Sequence, residues 1–283
     1  MKRHVVLPTR GTLLVNTDVH GNLGDFAAME AIFHAERERD PETHWVILGD
    51  VVHAPDDSAR SSDAALYGYA DGSMEIVDRI LALEQRFPGH VHFVLGNHDH
   101  GHVGGPHTQK FYGDEVEALE STLSHAQRTR LRGLFERAML AAVAPCGVLM
   151  THGSPDTSLM RLEDLDDAPL ELSAMSPAQA RMLRSLLTSY GQPDAVCVEM
   201  LGNVSRACGL TLGVVLHGHD RDEKGFFIEG EHQVCPVIFG APRGKKRYVR
   251  LDLASRYDRA ASLREDTEIL RLHTSSFIPS GLP

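Results

Sequence analysis

The chain has 283 residues, 42% hydrophobic and 24% charged, and its 39 Asp and Glu outweigh 28 Lys and Arg to give a net charge of −11. This is ordinary for a folded chain with a substantial core, and the acidity argues against binding driven by nucleic-acid phosphates. It leaves a phosphorylated substrate open, because bound divalent cations invert the local potential.

No stretch approaches the roughly 18 apolar residues of a membrane span. The N-terminal run Val5-Val6-Leu7 is too short for the core of a signal peptide. Cys146, Cys197, Cys208 and Cys235 form no C-x-x-C pair and read as small buried hydrophobes in a reduced compartment. The expectation is a cytoplasmic protein without nucleic-acid or membrane partners.

Thr12–Val15 is a short apolar run that ends at Asn16-Thr17-Asp18-Val19-His20-Gly21-Asn22, a strand followed by a glycine-punctuated loop. Leu23, Phe26, Ala27, Met29, Ile32 and Phe33 recur at helical spacing to about Arg39, and Asp40-Pro41 stops the helix. His44–Leu48 is a second strand, ending on Gly49-Asp50. This β-α-β order predicts a parallel pair. Residues 54–72 read as a polar loop with room for a short helix. A helix over Met74–Phe87 and a strand over His90–Leu95 complete a second β-α-β unit, which ends on Gly96-Asn97-His98-Asp99.

Residues 101–106 read as a flexible loop, with His100, His102 and His107 as solvent-loop histidines. Helical stretches are expected at 113–123 and 125–142. A strand over 147–150 leads to Thr151-His152-Gly153, and 154–174 reads as an acidic, solvated loop. Ser176-Pro177 is an N-cap followed by proline at the first helical position, opening a helix through Leu187. Another helix over 196–208 is closed by Gly209. Leu212–Leu216 is a strand ending on His217-Gly218-His219. Strands at 226–228, 233–239, 247–253 and 267–272 finish the chain before a polar, Pro-ended tail, and Gly244-Lys245-Lys246-Arg247 reads as a solvated turn that could instead meet an anionic substrate.

Five apolar strands thus end on Asp18-x-His20, Gly49-Asp50, Gly96-Asn97-His98-Asp99, His152-Gly153 and Gly218-His219. Ligands in α/β sheets bind at the carboxyl ends of strands, so these motifs converge on one rim. Oxygen and nitrogen donors without thiolate suit Mn, Fe, Zn or Co more than Ca. Two such ions sharing one carboxylate can activate a water and clamp a phosphoryl group.

In that order the motifs resemble those of the calcineurin-like metallophosphoesterase superfamily, D-x-H, G-D-x-x-D/H, G-N-H-D/E, H and G-H-x-H, over about residues 12–253. Phe111-Tyr112-Gly113-Asp114-Glu115, Thr151-His152-Gly153-Ser154-Pro155, Lys224-Gly225-Phe226-Phe227 and Phe239-Gly240-Ala241-Pro242 look most like its phosphoprotein phosphatase branch. The resemblance implies an α/β sandwich of two mixed β-sheets flanked by helices, one domain over 1–283, with a dimetal site at the C-terminal ends of the strands. It implies Asp18, His20 and Asp50 around a first divalent ion, Mn2+ before Fe, Zn, Co or Ni. Asp50, Asn97, His152 and His219 would surround a second. The implied reaction is phosphomonoester hydrolysis by direct in-line attack of a metal-bridging hydroxide, with His98 as general acid and phosphoserine or phosphothreonine in proteins as substrate. A small phosphoester is also open, and dinucleoside polyphosphate or other nucleotide hydrolysis and a non-catalytic scaffold are the alternatives.

The chain departs from that branch after Asp50. The aspartate expected to orient the general acid is His53, and the expected phosphate-binding arginine is Ala54. His53 is read as an orienting partner of His98, an extra ligand or a structural residue. Arg243 or Arg221, with Asn97, is the expected substrate contact. Asp99 is expected to support a ligand rather than to be one.

Overall fold

The computed structural model describes residues 1–166 and 168–273; the Pro-ended tail and Asp167 lie outside them. The chain opens with β1 (His4–Val6) and β2 (Thr12–Asn16). Helix α1 (Leu23–Arg39) follows, its first turn closed by the Asn22 side chain, which accepts the Asp25 N–H at 3.0 Å. Next come β3 (His44–Leu48), two short helices α2 (Asp57–Ser62) and α3 (Ala64–Tyr67) in the polar stretch, α4 (Ser73–Arg86) and β4 (Val91–Val94). β2, β3 and β4 run parallel, and β10 (Arg247–Asp252) and β11 (Ile269–Arg271) add antiparallel at one edge to make the order β11-β10-β2-β3-β4.

Beyond β4 stand α5 (Asn97–His100), α6 (Glu115–Thr122), α7 (His125–Glu136), β5 (Ala141–Ala144) and β6 (Val148–Met150). The chain continues through α8 (Pro177–Thr188), with Ser176 and Gln179 forming the capping box, and α9 (Asp194–Cys208). β7 (Val214–Leu216), β8 (Phe226–Glu229) and β9 (Gln233–Pro236) complete a second mixed sheet of order β1-β5-β6-β7-β9-β8.

Side-chain alternation along the strands explains why they read as unbroken apolar runs. Leu13, Val15, Val46, Leu48 and Val94 meet Ala142, Ala144, Val148, Met150, Val214 and Leu216 between the two sheets. Leu14, Trp45, Ile47 and Phe93 point the other way, onto Phe26, Met29, Phe33, Ile76 and Ile80 of the helices. Both faces are covered, so no polar alternation survives in the sequence.

Three expectations are corrected. The helix expected over 125–142 stops at Glu136, because Ala141–Ala144 is β5, paired parallel to β1 and antiparallel to β6. Alanine favours a helix in isolation, but two strand neighbours and complete burial override that preference. The loop at 101–106 begins as a 3-10 turn, Gly101–Val103, and His100 and His102 are buried; His107 alone of the three is exposed. Lys246 and Arg247 are also buried rather than solvated. Lys246 pairs with Asp25 and Arg247 with Glu265 at 2.7 Å, which removes both from any anion-binding turn.

Trp45, the one tryptophan, is fully buried, with its ring 5.4 Å from Phe26 and 5.5 Å from Phe33, and its indole N–H donates to Asn16 Oδ1 at 2.6 Å. Trp45→Ala is expected to cost about 3–5 kcal/mol, read by urea denaturation followed in far-UV circular dichroism. A loss below about 1 kcal/mol would contradict this packing.

Candidate functional site

The parallel order of β2, β3 and β4 delivers Asp18, Asp50 and Asn97 to one rim, and the parallel pair β6–β7 delivers His152 and His219 to the same place. The turns after these strands are unusually tight. Asp18, His20, Asp50, His53 and His219 all have positive φ, between 41° and 70°; among the described residues one other non-glycine, Asp266, does. Asp and His tolerate the left-handed region better than most residues, and such outliers gather at functional sites.

Two groups of ligand-type atoms form around Asp50. His20, Asp50 and His98 make one, and Asp50, His152 and His219 the other, with all atoms of each group within 4.8 Å of one another. His20 Nε2 lies 3.8 Å from Asp18 Oδ1 and 3.6 Å from Asp50 Oδ2. His152 Nε2 lies 3.4 Å from Asp50 Oδ2 and 3.0 Å from Asn97 Oδ1, and His219 Nδ1 is 2.9 Å from the same amide oxygen. The sequence-derived residues Asp18, His20, Asp50, Asn97, His152 and His219 are therefore all brought together.

The surroundings suit cations. Donor atoms on one ion with bonds of about 2.0–2.2 Å lie roughly 3–3.5 Å apart, close to the spacings here. His152 donates its Nδ1–H to the Leu48 carbonyl at 2.7 Å, which turns Nε2 toward Asp50 and Asn97 in the manner of a metal-ligating imidazole. Burial raises the pKa of Asp18, and Asp50 raises it further. Burial alone would raise Asp50 too, but His152 and then His98 hold it well below the usual carboxylate range. Burial, and next His152, lower His219 to about 3, so it is a neutral donor. Burial opposes a charge on His152, but Asp50 raises it to about 10, so a buried imidazolium balances the carboxylates here, in the place that suits a cation.

Close backbone approach makes the packing possible. A Cβ on Gly96 would overlap Asp50 Oδ1, and one on Gly218 would overlap Thr17 Oγ1 and Asp18 Oδ2. Asp99, as expected, supports rather than joins the group. Its carboxylate accepts the backbone N–H groups of Asp50 at 2.8 Å, Val51 at 3.1 Å and Gly96 at 3.0 Å. Burial and the neighbouring Asp50 raise Asp99 to about 7.

A cavity of about 450 Å³ opens over the cluster, lined by Asp18, Asp50, His98, Lys110, Tyr190, His219, Asp220 and Arg221. Arg221 thus reaches the site. Arg243 stands exposed on the 3-10 turn Arg243–Lys245 and is not among the lining residues. Lys110 is one residue that sequence reasoning missed. Its Nζ is 3.2 Å from His20 Nε2 and 4.2 Å from the Phe239 ring centroid, while Arg221 Cζ lies 5.4 Å from the same ring. Burial and then Arg221 lower the Lys110 ammonium to about 8. A lone lysine in a loop carries no motif; its place just before Phe111-Tyr112-Gly113-Asp114-Glu115 was the one available signal.

Glu115 was missed as well. His98 Nδ1 lies 3.0 Å from Glu115 Oε2, 3.1 Å from His53 Nδ1 and 3.1 Å from Thr108 Oγ1. A carboxylate is therefore present beside His98, supplied from α6 instead of from the loop after β3. Burial opposes ionisation of Glu115, but the facing His98 holds it down at about 2.

The family model for calcineurin-like phosphoesterases matches residues 11–220. Among solved structures, a protein serine/threonine phosphatase from Saccharomyces cerevisiae superposes with a TM-score of 0.60 at 17% identity, covering 95% of this chain and 82% of that one. A cold-active protein-tyrosine phosphatase of a psychrophilic Shewanella sp. gives 0.57 at 13% identity, covering 90% and 78%. At these identities the two likenesses speak for the fold.

Gly96→Ala is expected to weaken Mn2+ binding roughly 10–100-fold, the usual scale for disturbing groups that orient ligands, with the far-UV spectrum retained. Isothermal titration with Mn2+ checks this, and unchanged affinity would mean that Gly96 does not set the position of Asp50.

Proposed function

The chain belongs to the calcineurin-like phosphoesterase family, which makes it a hydrolase of phosphate esters, and from that premise we propose a dimetal-dependent phosphomonoesterase of the protein serine/threonine phosphatase kind. The observation that carries this reading is the sharing of Asp50 between two ligand groups, beneath a cavity that also holds His98, Lys110 and Arg221. The ligands would be Asp18, His20 and Asp50 for one ion, and Asp50, Asn97, His152 and His219 for the other. Two divalent ions supply Lewis-acid polarisation of a phosphoryl oxygen and activation of a water. The nitrogen and oxygen donor set suits Mn2+, with Fe, Zn, Co or Ni able to substitute.

The protein's own side chains divide the remaining work. Lys110 and Arg221 are cations at the cavity wall where a phosphate dianion would sit, in place of the arginine missing at Ala54. Both are braced by Phe239, whose ring meets Tyr67 at 5.4 Å and Phe111 at 6.0 Å. His98 lines the cavity with Nδ1 turned away toward Glu115, which leaves its other ring nitrogen for the leaving oxygen. Glu115, 3.0 Å from Nδ1, holds the ring in that orientation. Asn97 turns its Oδ1 to His152 and His219 and would be the amide ligand of the second ion. The serine/threonine preference is supported by the motifs at 111–115, 151–155 and 239–242.

The test is purified protein with Mn2+ offered p-nitrophenyl phosphate, phosphoserine and phosphotyrosine peptides, and diadenosine tetraphosphate. The expected result is phosphoserine peptide turnover, abolished by EDTA and by Asp50→Asn. Faster turnover of the dinucleotide or of phosphotyrosine would overturn the substrate assignment; no turnover of any would overturn the activity.

Two variants probe the roles. His98→Asn is expected to lower kcat by ~10²–10⁴-fold, the usual worth of a positioned proton donor, while Mn2+ content measured by plasma mass spectrometry stays unchanged. Lys110→Met removes a charged contact of about 1.5–3 kcal/mol and is expected to raise KM for the phosphoester about ten-fold or more. An unchanged KM would take Lys110 out of the substrate site.

A further inference from the structure

Behind His98, on the side away from the cavity, three donor atoms converge. His53 Nδ1 is 3.1 Å from His98 Nδ1 and 3.7 Å from Glu115 Oε2, and His98 Nδ1 is 3.0 Å from that oxygen. All three residues are buried, and they form a group able to hold a metal ion. Glu115 Oε2 is fully buried with no aligned hydrogen-bond donor, although His98 Nδ1 stands close.

The surrounding network decides where the protons sit. Arg132 Nη2 pairs with Glu120 Oε2 at 2.7 Å, and His102 Nδ1–H donates to Glu120 Oε1 at 2.9 Å. That leaves His102 Nε2 bare, so the 2.9 Å contact to His53 must be a donation from His53 Nε2–H. His53 Nδ1 is then a lone pair aimed at His98 Nδ1. One N–H on His98 cannot serve both this lone pair and the Glu115 oxygen. The group is short of one positive centre, and the outer hydrogen bond on His53 is of the kind that orients a metal-ligating imidazole.

We propose that His53 Nδ1, His98 Nδ1 and Glu115 Oε2 form a third metal site, which shares the His98 ring with one of the two groups around Asp50 but not Asp50 itself, and is suited to Zn2+. Two imidazoles and one carboxylate are a common zinc donor set, and bonds of about 2.0–2.1 Å in a tetrahedron put donors roughly 3.3 Å apart. The spacings here bracket that value. Thr108 Oγ1, 3.1 Å from His98 Nδ1, stands near the fourth position. A cavity of about 170 Å³ lined by His53, Tyr112 and Glu115 gives the ion an entry path.

Its effect on turnover rests on the reading of His98 as proton donor. Zinc on Nδ1 occupies the nitrogen that faces Glu115, so the ring can no longer carry a hydrogen on both nitrogens. Filling the third site is therefore inhibitory.

The experiment loads metal-free protein with Zn2+, removes excess by gel filtration and counts metal by plasma mass spectrometry, with Co2+ as a spectroscopic stand-in. The expected result is three equivalents in the wild type and two in both His53→Gln and Glu115→Gln. The third Co2+ should give a tetrahedral visible band that both variants lose. His102→Gln, outside the donor set, should keep the fold and weaken the third equivalent about 10–100-fold. Two equivalents in the wild type, or a third that survives in both variants, overturns the site. A third equivalent that behaves as expected, in a protein whose two-equivalent form hydrolyses no phosphoester, keeps the site and defeats the activity reading. Hydrolysis with only two equivalents does the reverse.

Discussion

The burial of the Asp50 carboxylate is the constraint on which the rest turns. It sits 1% exposed at the end of β3, with one oxygen accepting the His98 backbone N–H at 2.9 Å and the other facing His20 and His152. A charge so buried is costly unless it is paired, and every neighbour answers that cost. Asp99 grips the backbone before and after it, Gly96 lets the adjoining turn close over it, and β6 sends His152 across from the other sheet. The sandwich is thus joined at its rim by electrostatics as well as along its middle by apolar packing.

That arrangement also explains how an acidic protein can serve an anionic substrate. The net charge of −11 is a property of the whole surface, whereas the phosphate would meet Lys110, Arg221 and whatever cations the carboxylates gather. Local charge decides recognition here, while the overall sign bears on solubility and non-specific contacts.

Much of this was legible in the sequence because it lies in short patterns. Strands buried on both faces leave unbroken apolar runs, and each such run in the site ends on a named ligand type. Glycine, proline and the Ser176 cap marked the helix ends that the structure shows at α8 and α9. What was not legible depends on partners distant in the chain. β5 is strand only because β1 and β6 flank it. Lys246 and Arg247 look like a solvated turn until Asp25 and Glu265 arrive to pair with them. Lys110, Glu115 and the burial of His102 follow from where the chain between α5 and α6 lies over the site, which no local spacing encodes. The departure at His53-Ala54 was visible, and Arg221 was among the expected replacements; the approach of Glu115 and Lys110 to the site was not.

The left-handed turns at Asp18, His20, Asp50, His53 and His219 carry a consequence for how this protein can be changed. A side chain held in a sparsely populated backbone region costs of order 1–3 kcal/mol, less where Asp or His occupies it. Glycine would adopt the same turns without that strain. The fold therefore stores its chemistry at positions where a chemically empty residue would suit the backbone better. Variants chosen for thermal endurance alone should drift toward glycine at these turns and lose the site as they gain stability. Robustness and reactivity compete for the same five backbone positions.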